Sequence, residues 1–305
     1  MGISRRDFIV KTGLVGAFAA FGSTSKLFAF NQGTFTTIRR NVGIYSNRGG
    51  TIGWLVNSDA SVVIDSQFAD TAPDCIDGIQ DMRTAQIDAL INTHHHGDHT
   101  GGNGVFKPKV KNIIAHENVP ILQRQQAQMR GDESVTGIPD TTYSDLWRRD
   151  FGDETIRLKY YGPAHTSGDS VITFEKANVV HMGDLVFNRV FPFIDRPGGA
   201  NVKNWIKLLN GVLADHDSST LYILGHGQPN LGMVSRMDAL VHMRAYLEAL
   251  VEHVDNGVSQ GLSREEIVGI ASLRGFEDHI SFGPRLSLSS NLEVVYDELT
   301  SHLDQ

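Results

Sequence analysis

The sequence has 305 residues, of which 40% are apolar and 20% charged, so it is long enough to bury a substantial core. Its formal net charge of −8 argues against nucleic-acid binding, because a phosphate backbone is bound by basic surfaces. The one cysteine, Cys75, excludes an internal disulfide as a source of stability.

The first 29 residues are typical of an export signal. Arg5 and Arg6 precede a modestly apolar stretch, residues 13–22, which is followed by small residues. This segment resembles a twin-arginine (Tat) signal, which implies a periplasmic or otherwise exported protein that meets the membrane only at the Tat translocon. A permanent anchor is the alternative, disfavoured because the apolar stretch is short and rich in glycine and alanine. We therefore predict a signal segment at 1–29 and a folded domain at 30–305.

Strands alternate with helices along the rest of the chain. Apolar and alternating runs predict strands at residues 62–64, 87–91, 112–115, 156–160, 170–174, 178–181 and 221–224. Helical spacing predicts helices from about residue 70, over 117–130, over 202–213 and from about residue 233 to the C-terminus. In the last part, Gly257 is a candidate helix stop, and Ser263 with Glu266 has the spacing of a capping box. This alternation predicts an α/β layered domain.

Four histidines and one aspartate lie within six positions of the stretch NTHHHGDHT, residues 92–100. Side chains repeat every two residues along a strand, so His94 and His96 are expected to point together. His95, between them, is expected to point away and to be no ligand.

A glycine follows these histidines and allows the chain to turn. After Gly97, Asp98 and His99 can present an oxygen and a nitrogen from a different direction. Imidazole nitrogen together with carboxylate oxygen suits zinc best among the common ions, and manganese, cobalt and iron are alternatives. Taken alone, the stretch is also compatible with a histidine-rich surface turn.

Three further ligand-type residues lie in glycine-containing turns after apolar or alternating runs: His165, Asp184 and His226. With the stretch at 92–100, they resemble the ordered pattern of the metallo-β-lactamase superfamily. That pattern is Thr-His-x-His-x-Asp-His, followed by a His, an Asp and a His. The resemblance covers roughly residues 42–228.

The resemblance implies a four-layer αββα sandwich, with helices added at the C-terminus and a two-metal site at one edge. It implies two zinc ions, with iron or manganese as alternatives, that share a hydroxide oriented by Asp98. It also implies the ligand set: His94, His96 and His165 for the first ion, Asp98, His99 and His226 for the second, and Asp184 bridging both.

Departures from subfamily patterns narrow the implied activity. Many true β-lactamases carry cysteine or serine at the position of Asp184, and diiron flavoprotein relatives carry glutamate at that of His96. Quorum-quenching lactonases have a tyrosine where Phe187 stands. We expect an exported hydrolase that cleaves an ester, lactone, thioester or cyclic-amide bond of a small molecule. The alternatives are an iron-dependent oxygenase similar to the persulfide dioxygenases, a true β-lactamase and a non-catalytic zinc-binding protein.

Other residues near strand ends have weaker signals. Asp65 is either an acceptor for a ligand imidazole N–H or an ordinary strand-end cap. His116 and His181 match no ligand position of the family, so we expect them in the core or at the rim.

The walls of the cleft are predicted from segments rather than from motifs. We expect residues 131–142, residues 187–199 and the start of the C-terminal helices to form them. Side chains that are candidates to face the cleft are Asp169, Asn188, Arg189, Phe187, Phe191 and Phe193. The sequence makes no prediction of oligomeric state.

Overall fold

The computed structural model describes residues 33–131 and 135–301. The predicted signal segment, residues 1–29, lies outside the described residues. In the part that is described, no helix combines the length and the apolar character needed to span a bilayer.

The first sheet has seven strands that lie side by side in chain order. The strands are β1 (Thr34–Arg39), β2 (Val42–Ser46), β3 (Ile52–Val56), β4 (Ser61–Ile64), β5 (Ala89–Ile91), β6 (Ile113–His116) and β7 (Thr141–Tyr143). Pairing is antiparallel from β1 to β4 and parallel from β4 to β7. The carboxyl ends of β4, β5 and β6 therefore meet at one edge of the sheet.

The second sheet has six strands in the order β15-β13-β11-β10-β9-β8. They are β8 (Leu146–Phe151), β9 (Glu154–Lys159), β10 (Val171–Phe174), β11 (Val179–His181), β13 (Leu221–Ile223) and β15 (Val234–Ser235). Strands β12 (Phe187–Asn188) and β14 (His226–Gly227) form a separate parallel pair. Within the six-stranded sheet only β11 and β13 pair in parallel, so the segments that follow these two strands leave the sheet at the same edge.

The two sheets pack face to face through apolar side chains. Val62, Ile64 and Ile91 of the first sheet contact a cluster that includes Ile172 and Phe174 of the second. All five side chains are fully buried. The near-continuous apolar runs that predicted these strands therefore reflect burial on both faces of each sheet.

Helices cover the outer face of each sheet. Helix α1 (Ala72–Met82) packs Cys75, Ile76 and Ile79 against the first sheet, so Cys75 is a core residue. The same side of the molecule carries the short helices α2 (Gly97–Thr100) and α3 (Asn103–Phe106), followed by α4 (Asn118–Met129).

The second sheet is covered by α5 (Val202–Asp215), α6 (Met237–Ser259), α7 (Arg264–Val268) and α8 (Leu288–Thr300). Trp205 of α5 and Leu247 of α6 are fully buried in the cluster beneath them. The predicted αββα sandwich with added C-terminal helices is confirmed.

One predicted helix end was wrong. Helix α6 continues two residues past Gly257 and ends at Ser259. Gly261, with a φ of +71°, supplies the left-handed conformation that terminates the helix, and the Leu262 N–H donates back to the Gly257 carbonyl. The predicted capping box is present at the start of α7, where Ser263 and Glu266 each accept from the other's backbone N–H.

Candidate metal centre

All seven predicted ligands lie at the edge where the carboxyl ends of the strands meet. His94 and His96 follow β5, and α2 presents Asp98 and His99. The other three come from the second half of the chain: His165 from the β9–β10 loop, Asp184 from a 3-10 turn after β11, and His226 from β14. The fold thus brings the separated motifs together, and the role of each residue as a ligand stays a prediction.

Three imidazoles form the first group. His96 Nδ1 lies 3.1 Å from His94 Nε2 and 3.1 Å from His165 Nε2. All three rings are buried, His96 being the most exposed at 8%. Three ring nitrogens therefore converge on one small volume.

The outer nitrogen of His94 is held by a hydrogen-bonded chain that begins at Asp65. Thr93 Oγ1 donates to Asp65 Oδ2 over 2.7 Å, and the Thr93 N–H donates to Asp65 Oδ1 over 2.8 Å. Because the hydroxyl proton of Thr93 is donated to Asp65 in a hydrogen bond, Thr93 Oγ1 accepts from the His94 Nδ1–H over 3.0 Å. The proton of His94 is therefore on Nδ1, and Nε2 faces the group with a lone pair.

The outer nitrogens of His96 and His165 also face acceptors. His96 Nε2 donates to Asp195 Oδ2 over 2.8 Å, and His165 Nδ1 donates to the Phe193 carbonyl over 2.7 Å. The inward nitrogens of all three rings therefore carry lone pairs. Lone pairs 3.1 Å apart repel one another unless a cation lies among them, so the donor set fits a metal ion.

The second group joins two imidazoles and a carboxylate. His226 Nε2 lies 3.0 Å from Asp98 Oδ2 and 3.4 Å from His99 Nε2. The outer nitrogen of His99, Nδ1, donates to Asp65 Oδ2 over 2.7 Å, which leaves Nε2 as a lone pair. The donor atoms of these three residues lie within 4.8 Å of one another, which is close enough for one ion.

Asp184 lies between the two groups, with one oxygen directed to each. Its Oδ2 is 3.8 Å from His94 Nε2 and 3.6 Å from His165 Nε2. Its Oδ1 is 3.0 Å from His99 Nε2 and 3.4 Å from His226 Nε2. This is the arrangement that a bridging carboxylate requires.

Two glycines allow the backbone to approach the ligands closely. A Cβ at Gly225 would lie 2.2 Å from Asp184 Oδ1, and a Cβ at Gly50 would lie 2.2 Å from the His99 ring. Any side chain at either position would displace a predicted ligand.

Burial keeps His94 and His165 neutral. Burial lowers the pKa of His165 to about 3, and the adjacent His96 contributes to the same shift. The pKa of His94 is well below its ordinary value, first because of burial and then because of His99. Neutral imidazole is the form that binds metal, so His94 and His165 need no deprotonation near pH 7.

Carboxylates and imidazoles shift one another's pKa in the second group. Burial alone would raise the pKa of both carboxyls, but His99 and His226 lower that of Asp98 to about 2 and that of Asp184 well below its usual range. In turn Asp184 overcomes the effect of burial on His226 and raises its pKa to about 9. The carboxylates thus favour a cation here, a proton or a metal ion.

His116 and His181 are buried, in agreement with their predicted place in the core or at the rim. His181 Nε2 donates to the Thr51 carbonyl over 3.0 Å, and its Nδ1 accepts from the Gly183 N–H over 3.1 Å. His116 stacks on Tyr160 with ring centroids 3.8 Å apart. His95 shares Asp195 with His96: its Nε2 lies 3.5 Å from Asp195 Oδ2, and the donor atoms of these three residues lie within 4.8 Å of one another. That His95 is no ligand stays a prediction.

The hydrogen bonds of Asp65 decide between its two interpretations. The carboxylate accepts from His99 and from Thr93, so it orients the ring of one predicted ligand and the hydroxyl that holds another. The prediction that Asp65 accepts an imidazole N–H is confirmed.

A cavity of about 520 Å³ opens above both groups. Its apolar lining includes Phe187, Val190 and Phe193, and its acidic lining consists of Asp98, Asp184 and Asp195. Phe187 stacks on the His226 ring, with centroids 5.4 Å apart, and so closes one side of the second group.

Several predicted wall residues lie elsewhere. The Asp169 carboxylate is buried and accepts from the Thr166 N–H and hydroxyl, which fixes the loop that carries His165. Asn188 donates to the Gly232 carbonyl, Arg189 pairs with Asp278, and Phe191 packs on Tyr246. None of these four predicted residues lines the cavity, because each is satisfied by a neighbour in the domain.

Two predicted wall segments are also replaced by others. Among the described residues of 131–142, none lines the cavity, and the end of α4 does so instead through Gln126, Met129 and Arg130. The segment before α8, rather than the start of α6, supplies Phe282, Arg285 and Leu286. Sequence reasoning also missed Asp195, which has no motif of its own.

Comparison with known proteins agrees with this architecture. The profile described as the Metallo-beta-lactamase superfamily matches residues 47–226, more than half of the chain. Metallo-beta-lactamase IND-1 of Chryseobacterium indologenes is 27% identical over 154 residues, 50% of this chain and 61% of that protein. A hydroxyacylglutathione hydrolase of Crocosphaera subtropica is 26% identical over 129 residues, 42% of this chain and 44% of that protein. The chain therefore spans less than two thirds of the length of these relatives.

A solved structure extends the likeness beyond the matched segment. The sec-alkylsulfatase Pisa1 from Pseudomonas sp. superposes with a TM-score of 0.69 over 87% of this chain and 50% of that chain. At 16% sequence identity this likeness concerns the fold alone. The profile match, the two-sheet sandwich and the paired His/Asp groups lead to one conclusion: the chain belongs to the metallo-β-lactamase superfamily, whose members are mostly metal-dependent hydrolases and typically bind two metal ions.

Proposed function

We propose that this protein is an exported di-zinc hydrolase that cleaves an ester, lactone, thioester or cyclic-amide bond of a small molecule. The observation that carries the proposal is the position of Asp184, which directs one oxygen to each of two groups of ligand-type side chains. Histidine nitrogen with carboxylate oxygen favours zinc in both groups.

Two divalent ions in these groups would lower the pKa of water enough to supply hydroxide near neutral pH and would polarise the bond to be cleaved. The protein's own part is to position that water. Asp98, with 31% of its side chain exposed, is more accessible from the cavity than Asp184, with 5%. Asp98 is therefore the carboxylate that can accept a hydrogen bond from an incoming water and orient it.

The lining of the cavity supports water as the nucleophile. Within the described ranges, no serine, threonine or cysteine lines it. Cys75 is buried on the outer side of the first sheet, where burial raises its pKa beyond the range of a reactive thiol. A covalent intermediate on such a side chain has no candidate here.

The names of the relatives support hydrolysis but do not select the bond. IND-1 is a β-lactamase and the Crocosphaera protein is a hydroxyacylglutathione hydrolase. An aspartate at 184, in place of the cysteine or serine of many β-lactamases, favours the broader ester, lactone or thioester class for this chain.

Export is the second part of the proposal. It rests on Arg5, Arg6 and the apolar stretch that follows them. Replacing both arginines by lysine should retain the precursor in the cytoplasm, measured by fractionating cells that express the full chain. Normal export of that variant would contradict the proposed Tat route.

Metal content tests the site directly. We expect plasma mass spectrometry of the full chain, purified with metal from the expressing cells, to find about two zinc ions per chain. About one iron ion per chain would contradict the zinc hydrolase and favour the oxygenase alternative. Neither outcome depends on knowing the substrate.

Asp184→Ala tests the bridging role. The variant should lose metal from both groups and retain less than about 1% of the turnover, because one carboxylate serves both groups. Asp81→Ala is the matched control, since Asp81 is exposed on α1 and far from the groups in the fold. Two zinc ions and full turnover in Asp184→Ala would refute the bridging role.

A further inference from the structure

The cavity above the candidate metal centre is not chemically uniform. Its three carboxylates each face an imidazole: Asp98 faces His226 at 3.0 Å, Asp184 faces His99 at 3.0 Å, and Asp195 faces His96 at 2.8 Å. Its two guanidinium groups, those of Arg130 and Arg285, form no ion pair with any residue of 33–131 or 135–301. The three carboxylates are therefore engaged within the candidate metal centre, and the two guanidinium groups are the charged groups of the lining that have no ion-pair partner among the described residues.

Arg285 is linked to the first group of imidazoles through Phe193. Its Cζ atom lies 5.4 Å from the centroid of the Phe193 ring, and that ring lies 5.4 Å from the ring of His96. A guanidinium group that lies over an aromatic ring can still donate hydrogen bonds, because its N–H groups point outward in its own plane. Arg285 is thus oriented by stacking and remains able to bind an anion.

Arg130 reaches the same cavity from another element. It follows the last residue of α4, and its neighbours Gln126 and Met129 also line the cavity. The two arginines therefore approach from different parts of the chain, one after α4 and one before α8. Between them the lining is largely apolar, with Phe187, Phe193, Val190, Phe282 and Leu286.

We propose that the substrate carries a carboxylate, separated from the bond to be cleaved by an apolar segment, and that Arg130 and Arg285 bind this carboxylate. This inference rests on the proposed hydrolase function and names the substrate class of the same site. A guanidinium fork matches the two oxygens of a carboxylate, and the apolar lining suits a hydrocarbon or aryl segment. The cavity of about 520 Å³ lies within the range of small-molecule sites.

The overall charge of the protein makes the local arginines important. At a net charge of −8, the surface as a whole repels an anionic substrate. Screening at physiological salt confines that repulsion to about 8 Å, so that the two solvent-exposed arginines of the lining set the local potential that a ligand meets.

The first experiment compares two esters on the zinc-loaded full chain. 4-Nitrophenyl butyrate is neutral, and mono-4-nitrophenyl glutarate ends in a carboxylate. The ratio of kcat/KM for the glutarate over the butyrate should be about ten in the wild type, fall about threefold in Arg130→Gln and in Arg285→Gln, and approach one in the double variant. Arg124→Gln, on α4 and outside the lining, is the matched control and should keep the ratio.

The second experiment needs no hydrolysis. Calorimetry measures binding of 4-phenylbutanoate and of neutral 4-phenylbutan-1-ol, neither of which has a bond to cleave, to the same proteins. The acid should bind at least about tenfold more tightly than the alcohol to the wild type, and the double variant should lose that preference. If the double variant retains the preference, the carboxylate contacts the metal centre alone and the inference is overturned.

The two experiments separate the possible failures. If no zinc-loaded protein cleaves either ester but the acid depends on both arginines for binding, the anion site stands and the proposed function loses its support. If both esters are cleaved equally and the binding ratio does not respond to the arginines, the hydrolase stands and the anion site is refuted.

Discussion

The proton on His96 is placed by a single carboxylate. Asp195 Oδ2 accepts from His96 Nε2 over 2.8 Å, and this leaves Nδ1 to face His94 and His165. Replacing Asp195 by alanine should free the His96 ring to rotate or change tautomer. We expect zinc affinity to fall about tenfold to a hundredfold, measured by competition with a chromophoric chelator.

Asp195→Asn provides the internal control. The amide oxygen can still accept from His96 Nε2, so the ring keeps its tautomer and only the negative charge is lost. The zinc affinity of Asp195→Asn should lie between that of the wild type and that of Asp195→Ala. Equal zinc affinity in all three proteins would show that Asp195 does not orient the ring.

The contrast between Asp195 and Asp65 shows what the sequence can predict at this scale. Asp65 ends a recognisable apolar strand, so its position beside the ligands follows from strand order. Asp195 is 99 residues from its partner His96 and stands in no periodic run. A hydrogen bond between such distant segments depends on the packing of the two sheets, which no local pattern encodes.

At the scale of elements, the end of α6 depends on Gly261. Its φ of +71° lies in the left-handed region, and no atom lies within 4 Å of where a Cβ would be. Gly261→Ala should therefore cost about 1 kcal/mol in the free energy of unfolding, entirely through backbone strain. Urea unfolding monitored by circular dichroism measures this difference.

Gly261→Asn is the matched variant. Asparagine has a side chain but tolerates the left-handed conformation better than alanine. Gly261→Asn should therefore lower the free energy of unfolding by less than Gly261→Ala does. An equal cost for both substitutions would mean that something other than backbone conformation sets the helix end.

The wrong prediction at Gly257 has a packing explanation. A Cβ at Gly257 would lie 2.5 Å from Ile267 Cγ1, so the glycine is present because α7 packs closely on α6. A glycine near the end of an apolar helix pattern is compatible with a stop and with a close contact. The sequence alone does not separate them, whereas the strands and the capping box have local signals that do not depend on tertiary packing.

At the scale of the whole molecule, the order of the motifs predicts the sandwich only through the resemblance to a family. Periodicity predicts strands and helices, but not that β1 to β4 pair antiparallel and β4 to β7 in parallel. That pairing brings the strand ends to one edge, and with them the residues of the site. The sequence therefore identifies the candidate ligand residues, but it does not show the strand pairing that brings them together.

Buried histidines make the folded domain sensitive to acid. Burial lowers the pKa of His181 and that of His279 to about 4, against an ordinary value near 6.5. Between those two pH values the unfolded chain binds protons that the folded chain excludes. The free energy of unfolding therefore rises with pH in this window and falls as the pH drops from about 6.5 to about 4.

His279→Phe isolates one of these contributions. The His279 ring lies among Phe191, Tyr246 and Phe276, and its Nε2 has no hydrogen-bond partner in the described part of the chain. A phenyl ring fits these aromatic neighbours and cannot be protonated. From pH 7 to pH 5 the variant should therefore lose about 2 kcal/mol less stability than the wild type. Urea unfolding of both proteins at the two pH values tests this, and a stability difference that is the same at pH 7 and pH 5 would mean that His279 is not a buried neutral imidazole.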